Sequence, residues 1–383
     1  MYIQIDNAGF YNKGAELMLQ AVIQRLSQET TLQPKFVAGT GCTAPDNLQI
    51  RKAGLYQIPK FFRFHYRLDK LLPQFALDPY GLAKEESVNA IIDAGGFQFG
   101  DQWSYGYSKE TNKALSQYYR RYKNQGAKII FLPQAFGPFT NPLARERVKL
   151  VFDYADIIYA REKVSYQYLM EIFGENEKIK LAPDFTNLVE PLANPSLLKQ
   201  IRGGVCLIPN ARMTDKTDES VANSYEDFLH KTTELILSKN EHLILLNHEG
   251  PGDWQLIQNI KAQFPNHQEQ ITAINNLNAL EVKAVIGNCK LLITSRFHGL
   301  VSGLNQQVPT LCTSWNHKYE ELLNDFEVPG NILNTTNSNK FNTKIEDALS
   351  NPVAYTPNQE VISSLKLLTT DMWTNIIAAL KRP

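Results

Sequence analysis

An arginine, a histidine and a glycine stand within four positions of each other in the stretch ITSRFHGLVSGL, at 293–304. An apolar, strand-like run ends at Ser295 and an apolar helical pattern follows, so Arg296, His298 and Gly299 come at a predicted strand-to-helix junction. A helix N-terminus favours an anion, a guanidinium offers a planar fork of donors, and an imidazole donates hydrogen bonds or transfers a proton near neutral pH. A glycine allows a ligand or backbone to approach closely. The stretch therefore predicts an anion site, and the alternative is a helix cap with a surface arginine and a packed histidine.

Two further arginines follow strand-like runs in the same way. Arg161 comes after DIIYA and Arg212 after GVCLIPN. Arg161 could hold the second charged group of a small dianion, or form an exposed salt bridge to Glu162 or serve as a helix-start charge. Arg212 could serve the same site or be an ordinary surface arginine. Asp184, in LAPDFT, is interpreted as a helix cap or hinge contact rather than a catalytic group.

The glycine-rich stretch DAGGFQFGD, at 93–101, follows another predicted strand. Gly95 and Gly96 would let backbone approach a substrate, and Asp93 or Asp101 could hold sugar hydroxyls. The spacing is not GxGxxG, so it does not indicate a dinucleotide site. The alternative is a tight structural turn.

Two other junctions carry polar residues. FYNKGAELML, at 10–19, places Asn12 and Gly14 at a turn, with Glu16 in the first turn of the next helix. Its alternative role is a cap whose glutamate complements the helix dipole. His248 and Glu249 end the run HLILLN and could form an acid/base or orienting pair, or a cap.

Strand-like runs alternate with helical segments along the whole chain, which indicates an α/β fold. Continuous apolar strands such as HLILL favour parallel sheets covered on both faces. The two halves resemble two Rossmann-type units, so we expect domains at 1–190 and 203–358. A segment with two prolines, 191–203, is the predicted linker. A C-terminal helix within 359–383 is expected to pack back on the first domain.

Composition excludes several classes of function. The chain has 383 residues, with 39 lysines and arginines against 39 aspartates and glutamates, and it carries no long basic run, so we expect no nucleic-acid partner. Its four cysteines are far apart and show no zinc spacing, so no metal site is expected. The chain starts MYIQID without a signal-peptide pattern, and no apolar run reaches the length of a membrane span. We therefore expect a cytoplasmic protein, and peripheral contact with the inner face of the membrane is compatible with this.

Taken together, the motifs resemble those of the polysaccharide pyruvyl transferase family. The resemblance covers about residues 8 to 320 in family order, and SRFHG with its downstream VPTL and upstream AREKVS is its most specific part. One departure is GAE at 14–16, where many members have GD followed by an acidic residue. The other matching stretches are FYNKGAELML, DAGGFQFGD, FLPQAFGPF, YAREKVSYQYL and LAPDFTNLV.

The resemblance implies two Rossmann-like domains that face a cleft, similar to GT-B glycosyltransferases. It implies phosphoenolpyruvate as the donor and a pyruvate ketal on a sugar as the product, in the biosynthesis of polysaccharide such as exopolysaccharide. Arg161, Arg296 and His298 would contact the donor, and no cofactor is required. The acceptor would be a glycan or a lipid-linked or nucleotide-linked sugar.

These residues suggest a stepwise mechanism. His298 would protonate the donor's methylene carbon or donate to the leaving phosphate, and the two arginines would bind carboxylate and phosphate in an order left open. Glu249 or Asp93 would accept hydroxyl protons. One rival is a GT-B-type glycosyltransferase that uses a nucleotide-sugar, and the other is a non-catalytic carbohydrate-binding protein.

The irregular loops at 45–85 and 97–108 are expected to determine acceptor specificity. Their aromatic faces suit sugar rings, although lid packing is the alternative. The side chains concerned are Tyr56, Phe62, His65, Trp103 and Tyr105.

Overall fold

The helices and strands of the chain group into two compact units. The computed structural model describes residues 1–44, 47–59, 72–201, 203–314, 316 and 318–382. Unit 1 comprises Met1–Tyr11, Met18–Phe185 and Leu368–Pro383, and unit 2 comprises Asn12–Leu17 and Thr186–Leu367. The short segment Asn12–Leu17 therefore belongs to unit 2, although it lies near the start of the chain.

Unit 1 is built on a parallel sheet whose strands are short apolar runs. Its described strands follow the order β3-β2-β1-β4-β6-β7-β8, and β5 pairs with β6. The chain order reverses between β1 and β4, which are neighbours paired from Tyr2–Val88 to Asp6–Asp93. The strands are β1 (Tyr2–Asp6), β2 (Lys35–Ala38), β3 (Tyr56–Gln57), β4 (Val88–Asp93), β5 (Phe97–Phe99), β6 (Lys128–Phe136), β7 (Ile157–Ala160) and β8 (Ile179–Leu181).

Helices connect these strands, and several begin at residues whose side chains satisfy free backbone N–H groups. The Ser108 hydroxyl accepts from Thr111 N at the start of α4, and Asn141 caps α5, where Pro142 suits the first helical position. The helices up to this point are α1 (Lys13–Ser27), α2 (Asn47–Lys52), α3 (Gln74–Leu77), α4 (Lys109–Asn124), α5 (Pro142–Tyr154) and α6 (Lys163–Phe173).

Unit 2 is built on a second parallel sheet, with the order β11-β10-β9-β12-β13. Alternate residues of β9 point to opposite faces: Val205 and Leu207 join one apolar cluster, while Cys206 and Ile208 join another. Both faces are therefore covered. The strands are β9 (Val205–Ile208), β10 (Leu243–Leu246), β11 (Ile271–Ile274), β12 (Leu291–Thr294) and β13 (Thr310–Cys312).

The predicted linker at 191–203 contains a helix. Ile201 is fully buried in the core of unit 2, and Leu197 and Leu198 pack against the same cluster. The segment thus contributes to the packing of unit 2. The remaining helices are α7 (Pro195–Ile201), α8 (Arg212–Asp215), α9 (Glu219–Ser238), α10 (Gly250–Gln263), α11 (Ala279–Gly287), α12 (Phe297–Leu304), α13 (Lys318–Asp325), α14 (Ser338–Ser350) and α15 (Gln359–Lys381).

The C-terminal helix α15 belongs to unit 1 from Leu368 onward. Trp373 is fully buried there, and its ring meets Phe185 edge-on at 6.3 Å between centroids. Within the described ranges, no helix is long and apolar enough to cross a membrane. The predicted α/β class with parallel sheets is confirmed.

Candidate active site

Several polar residues of unit 2 lie where the order of strands along its sheet reverses. The chain order reverses between the adjacent strands β9 and β12, and ligands of open parallel sheets bind beyond the strand C-termini at such a point. Asn210 follows β9, His248 follows β10, and Ser295 and Arg296 follow β12. The strand ends thus place these four residues at one edge of the sheet.

A buried hydrogen-bond network fixes the turn between β12 and α12. The Ser295 hydroxyl accepts from the hydroxyls of Tyr225 and Thr313, each at 2.7 Å. The Ser295 carbonyl accepts from Asn210 Nδ2 at 2.7 Å and from Tyr319 Oη at 2.9 Å. Because every partner is buried, the network holds the backbone of this turn in one position.

The Arg296 guanidinium is held by two carboxylates from α10 and the turn before it. Its Nε and Nη2 donate to the two oxygens of Asp253, at 2.8 and 2.5 Å, and its Nη1 donates to Glu249 Oε2. Asp253 also accepts from Ala211 N at 2.9 Å and is fully buried. Arg296 is therefore a fixed, buried cation with a two-point counterion.

Burial works against both charges of this pair. It raises the pKa of Asp253 and lowers the pKa of Arg296 to about 10, and the two-point ion pair opposes both shifts. Even at about 10, the Arg296 pKa leaves the guanidinium protonated at neutral pH. The turn therefore presents a permanent positive charge at the start of α12.

His248 is a neutral histidine beside this cation. Burial lowers the pKa of its imidazole well below the usual value, and the positive charges of Arg296, His298 and Lys13 lower it further. Its Nδ1 is buried, with no hydrogen-bond partner within the described part of the chain. The His248 carbonyl accepts from Lys13 N at 3.2 Å, which ties the segment Asn12–Leu17 to this edge of unit 2.

Asn12 is a helix cap that also joins the site. Its Oδ1 accepts from Gly14 N at 2.7 Å, at the start of α1, and its backbone forms an isolated antiparallel bridge with Glu249. The predicted cap is therefore observed, and substrate binding by Asn12 stays a prediction. Lys13, in the first turn of α1, pairs with Glu16 at 2.7 Å, so its charge is locally balanced.

Gly14 lies directly against the predicted general acid. A Cβ atom at Gly14 would stand 2.4 Å from His298 Nδ1 and 2.9 Å from its Cγ, closer than such atoms approach in real structures. A glycine is therefore required for the imidazole to occupy its observed position. Contacts among these segments bring His298, Arg296, Glu249 and Asn12, each a candidate from the sequence, to one place in unit 2.

Two other predicted residues of unit 2 have simpler surroundings. A Cβ at Gly299 would stand 2.8 Å from Thr294 Oγ1 and 3.3 Å from Ile208 Cδ1, so this glycine permits close packing of α12 on the sheet. Arg212 is half exposed and pairs with Asp215 at 2.6 Å. Its charge contributes to the lowered pKa of Arg296.

Unit 1 also has a buried polar cluster where its strand order reverses. Asp6 and Asp93 form it, at the ends of the neighbouring strands β1 and β4. Tyr118 Oη donates to Asp6 at 2.5 Å, while Gln98 Nε2 and Asn7 Nδ2 donate to Asp93 at 2.6 and 2.8 Å. Burial raises the pKa of Asp6 to about 6, and burial together with the charge of Asp6 raises the pKa of Asp93 to about 7. The pair therefore titrates close to neutrality.

The predicted glycine turn is built around Asp93. Gly95 N donates to Asp93 Oδ1 at 3.0 Å, and a Cβ at Gly95 would stand 2.6 Å from Gln98 Nε2. The Gly96 carbonyl accepts from Ala135 N at 3.0 Å. The contacts of Gly95 make it part of a tight turn around Asp93, and close approach of a substrate to Gly95 or Gly96 stays a prediction.

Asp101 makes its observed contacts within the protein, and its role in holding sugar hydroxyls stays a prediction. Both of its oxygens accept from the segment before α5: Oδ2 from Thr140 N and Oγ1, and Oδ1 from Asn141 N at 2.9 Å. The carboxylate thus stabilises the backbone before α5.

Arg161 is buried rather than exposed, which corrects the alternative of a surface salt bridge. Its Nε donates to Glu162 Oε1 at 2.7 Å, and its Nη1 lies 3.5 Å from Asp184 Oδ2. Its backbone N donates to the Gln134 carbonyl, and Gln134 Nε2 donates to Asp93 at 3.3 Å. Within unit 1, Arg161 therefore belongs to the same strand-end region as the acidic pair.

The aromatic residues of the predicted acceptor loops are described only in part. Tyr105 is 81% exposed, and its ring lies 6.4 Å from that of Trp103. Tyr56 meets Tyr2 edge-on at 5.7 Å. Phe62 and His65 lie outside the described residues.

Three charged residues of these clusters were not predicted from the sequence: Asp253, Lys13 and Asp6. Asp6 ends the run YIQID as Asp93 ends NAIID, so two strands that both end in aspartate were an available signal. Asp253 lies inside PGDW, where nothing in the spacing links it to an arginine 43 positions later.

Comparisons with solved structures define the class of fold. S. aureus MnaA in its complex with UDP matches with a TM-score of 0.57 and 13% identity, covering 92% of this chain and 89% of that one. A UDP-GlcNAc 2-epimerase from Neisseria meningitidis bound to UDP-GlcNAc gives 0.58 and 11%, covering 99% and 100%. Anabaena Alr3699/HepE in complex with UDP and glucose gives 0.56 and 12%, covering 100% and 99%. At these identities the likeness shows the fold, which is the predicted GT-B-like class.

A family model identifies the chain more narrowly. The model described as polysaccharide pyruvyl transferase matches residues 12–317, which is most of the chain and includes Asn12, Arg161, Glu249 and His298. The chain belongs to the polysaccharide pyruvyl transferase family, and the predicted resemblance is confirmed.

Proposed function

We propose that this protein transfers the enolpyruvyl unit of phosphoenolpyruvate to a sugar, where it forms a pyruvate ketal and releases phosphate. Membership of the pyruvyl transferase family supports the group transferred. The observation that carries the proposal is the junction at Arg296, where a buried guanidinium, a helix N-terminus and His298 occur together. A small carboxylate- and phosphate-bearing donor matches that set of groups.

The proposed reaction proceeds in two additions. A general acid protonates the methylene carbon of the donor, and C2 becomes an oxocarbenium-like centre that one sugar hydroxyl attacks with loss of its proton. The C2–O bond to phosphate then breaks, and a second hydroxyl of the same sugar adds to C2 and closes the ketal. One proton gained and two lost leave one proton for the departing phosphate.

The chain offers groups for these steps. His298 is the proposed general acid, or the donor to the leaving phosphate, because Gly14 leaves room for its imidazole beside Arg296. Arg296 supplies a fixed positive charge that would bind one of the two charged groups of the donor. For Arg161, donor contact stays a prediction.

The proposed acceptor is a sugar of a polysaccharide or of its lipid-linked or nucleotide-linked precursor. The structural neighbours captured with UDP or UDP-GlcNAc make nucleotide-linked sugars a rational first set of acceptors to assay. The same compounds test the alternative of a glycosyltransferase, which would release a nucleoside diphosphate instead of phosphate.

The test is an incubation of the protein with phosphoenolpyruvate and a panel of glycans and nucleotide-sugars. We expect phosphate release that depends on acceptor, together with a product whose mass has increased by one pyruvyl group. General acid catalysis typically contributes about 10²–10⁴-fold, so His298→Gln should lower turnover at saturating donor by that order. Release of nucleoside diphosphate without any use of phosphoenolpyruvate would refute the proposal.

A further inference from the structure

Glu249 occupies an unusual position for an acidic side chain. It is the residue that precedes α10, where a side chain commonly accepts from the free N–H groups of the first turn, yet Glu249 makes no such capping bond. Its carboxylate reaches instead to Nη1 of Arg296. The carboxylate is thus directed at the guanidinium and makes no hydrogen bond to the start of the helix.

The two carboxylates on Arg296 differ in how firmly they are held. Asp253 is fully buried, makes a two-point contact and accepts from a backbone N–H as well. The Glu249 side chain is 28% exposed and bonds the guanidinium through a single oxygen. Rotation of Glu249 into solvent would therefore cost one charge-assisted hydrogen bond, whereas Asp253 has no comparable route out.

The charges around Arg296 add up to an excess of negative charge when Glu249 is included. Asp253 alone neutralises Arg296, Lys13 pairs with Glu16, and His248 is neutral. The charge of Glu249 is then in excess, and only the positive N-terminal end of the α12 dipole balances part of it. An anion that arrived while Glu249 stayed in place would meet a like charge, but an anion that replaced it would leave the balance unchanged.

We infer that Glu249 occupies the place of the donor's carboxylate on Arg296 and must be displaced when the donor binds. This inference rests on the proposed function and adds to it the assignment of Arg296 to the carboxylate. His248, whose buried Nδ1 has no hydrogen-bond partner in the described part of the chain, lies close enough to Arg296 for the guanidinium charge to lower the pKa of its imidazole. Glu249 is therefore a specificity-determining residue, because only an anion that binds Arg296 more strongly than the Glu249 carboxylate does can replace it.

The experiment measures binding to the full-length protein by calorimetry, with three probes. Pyruvate carries the carboxylate alone, inorganic phosphate carries the phosphate alone, and phosphoenolpyruvate carries both. We expect Glu249→Ala and Glu249→Gln to bind pyruvate and phosphoenolpyruvate about tenfold more tightly than the unaltered protein, equivalent to roughly 1.4 kcal/mol. Binding of inorganic phosphate should change by less than about threefold.

A matched control separates displacement from a general charge effect. Asp227→Asn removes one negative charge from the exposed ion pair of Asp227 with Lys231 on α9 of the same unit, and it should leave all three affinities unchanged. Thermal melting of each variant reports whether the fold is kept.

The outcomes separate this inference from the proposed function. Unaltered protein that binds phosphoenolpyruvate, with Glu249 variants that bind it no more tightly, would overturn the inference and leave the proposed function standing. Tighter binding of phosphate alone would overturn the assignment to carboxylate. Failure of every protein to bind pyruvate or phosphoenolpyruvate would overturn the inference and remove the donor from the proposed function.

Discussion

Gly14 offers a sharp test of the role of His298, because it acts on the imidazole without touching its chemistry. A methyl group at this position would lie 2.4 Å from Nδ1 and 2.9 Å from Cγ of the ring, where ordinary contact begins near 3.4 Å. The ring must therefore move by about 1 Å. Because Cγ lies next to the Cβ of His298, the movement requires rotation of the whole side chain and not only of its tip.

Gly14→Ala should leave the fold intact. Gly14 lies in the first turn of α1 and does not have the positive φ that would strain another residue. Alanine is a better helix former than glycine by roughly 0.5–1 kcal/mol, so we expect unchanged or slightly raised thermal stability. Displacement of a catalytic group by about 1 Å can cost about 10²-fold in rate, and we expect a loss of that order in acceptor-dependent phosphate release.

Two comparisons make this result interpretable. Gly330→Ala is the matched control, because a Cβ there meets nothing within 4 Å and Gly330 belongs to the same unit. In a His298→Gln background, Gly14→Ala should cause little further loss, since both changes act through one group. Retention of at least a third of the original turnover by Gly14→Ala would refute the reasoning, as would full additivity of the two losses.

Two further predictions concern the buried charges. Asp253→Asn should lower the free energy of unfolding, measured in urea, by about 3–5 kcal/mol because it leaves Arg296 buried without its main counterion. Asp215→Asn, which breaks an exposed ion pair, should change that free energy by less than about 1 kcal/mol. Equal effects of the two substitutions would contradict this prediction. The pKa of Asp93 in the folded protein, about 7, is above its ordinary value of 3.8, so the folded state binds the proton more tightly and stability falls as pH rises between about 4 and 7. Asp93→Asn should therefore reduce the fall in unfolding free energy between pH 5 and pH 8, and an unchanged fall would contradict the assignment.

Much of the fold could be predicted from the sequence because its signals are local. Apolar runs such as HLILL are buried on both faces in a parallel sheet, and residues such as Ser108 and Asn141 mark helix starts with their own side chains. The residues directly after strands were also predictable as site candidates. Parallel strands share one edge for their C-termini, so Arg296 and His248 were expected at the same edge once they followed strands of one sheet.

The partners of those residues were not predictable, since they depend on distant packing. Nothing near Asp253 in the sequence indicates that α10 would place it under Arg296, and nothing near Gly14 indicates contact with an imidazole 284 positions away. In the segment 191–203, a local signal in the sequence is outweighed by packing. Its prolines favoured a linker, but the apolar Leu197, Leu198 and Ile201 bury against unit 2 and outweigh that local signal.

The buried carboxylates at the strand ends of the two units are stabilised differently, by a cation in unit 2 and by a bound proton in unit 1. In unit 2, Asp253 is stabilised by a permanent cation, so removing its charge leaves the buried Arg296 with only the partly exposed Glu249 as a counterion. In unit 1, Asp6 and Asp93 stand at paired positions of neighbouring strands with neutral hydrogen-bond donors around them, and a bound proton relieves their repulsion. Replacing a carboxylate by an amide therefore removes a needed charge from the first cluster and an unfavourable one from the second. The same chemical change should destabilise unit 2 and, at pH 8, spare or stabilise unit 1.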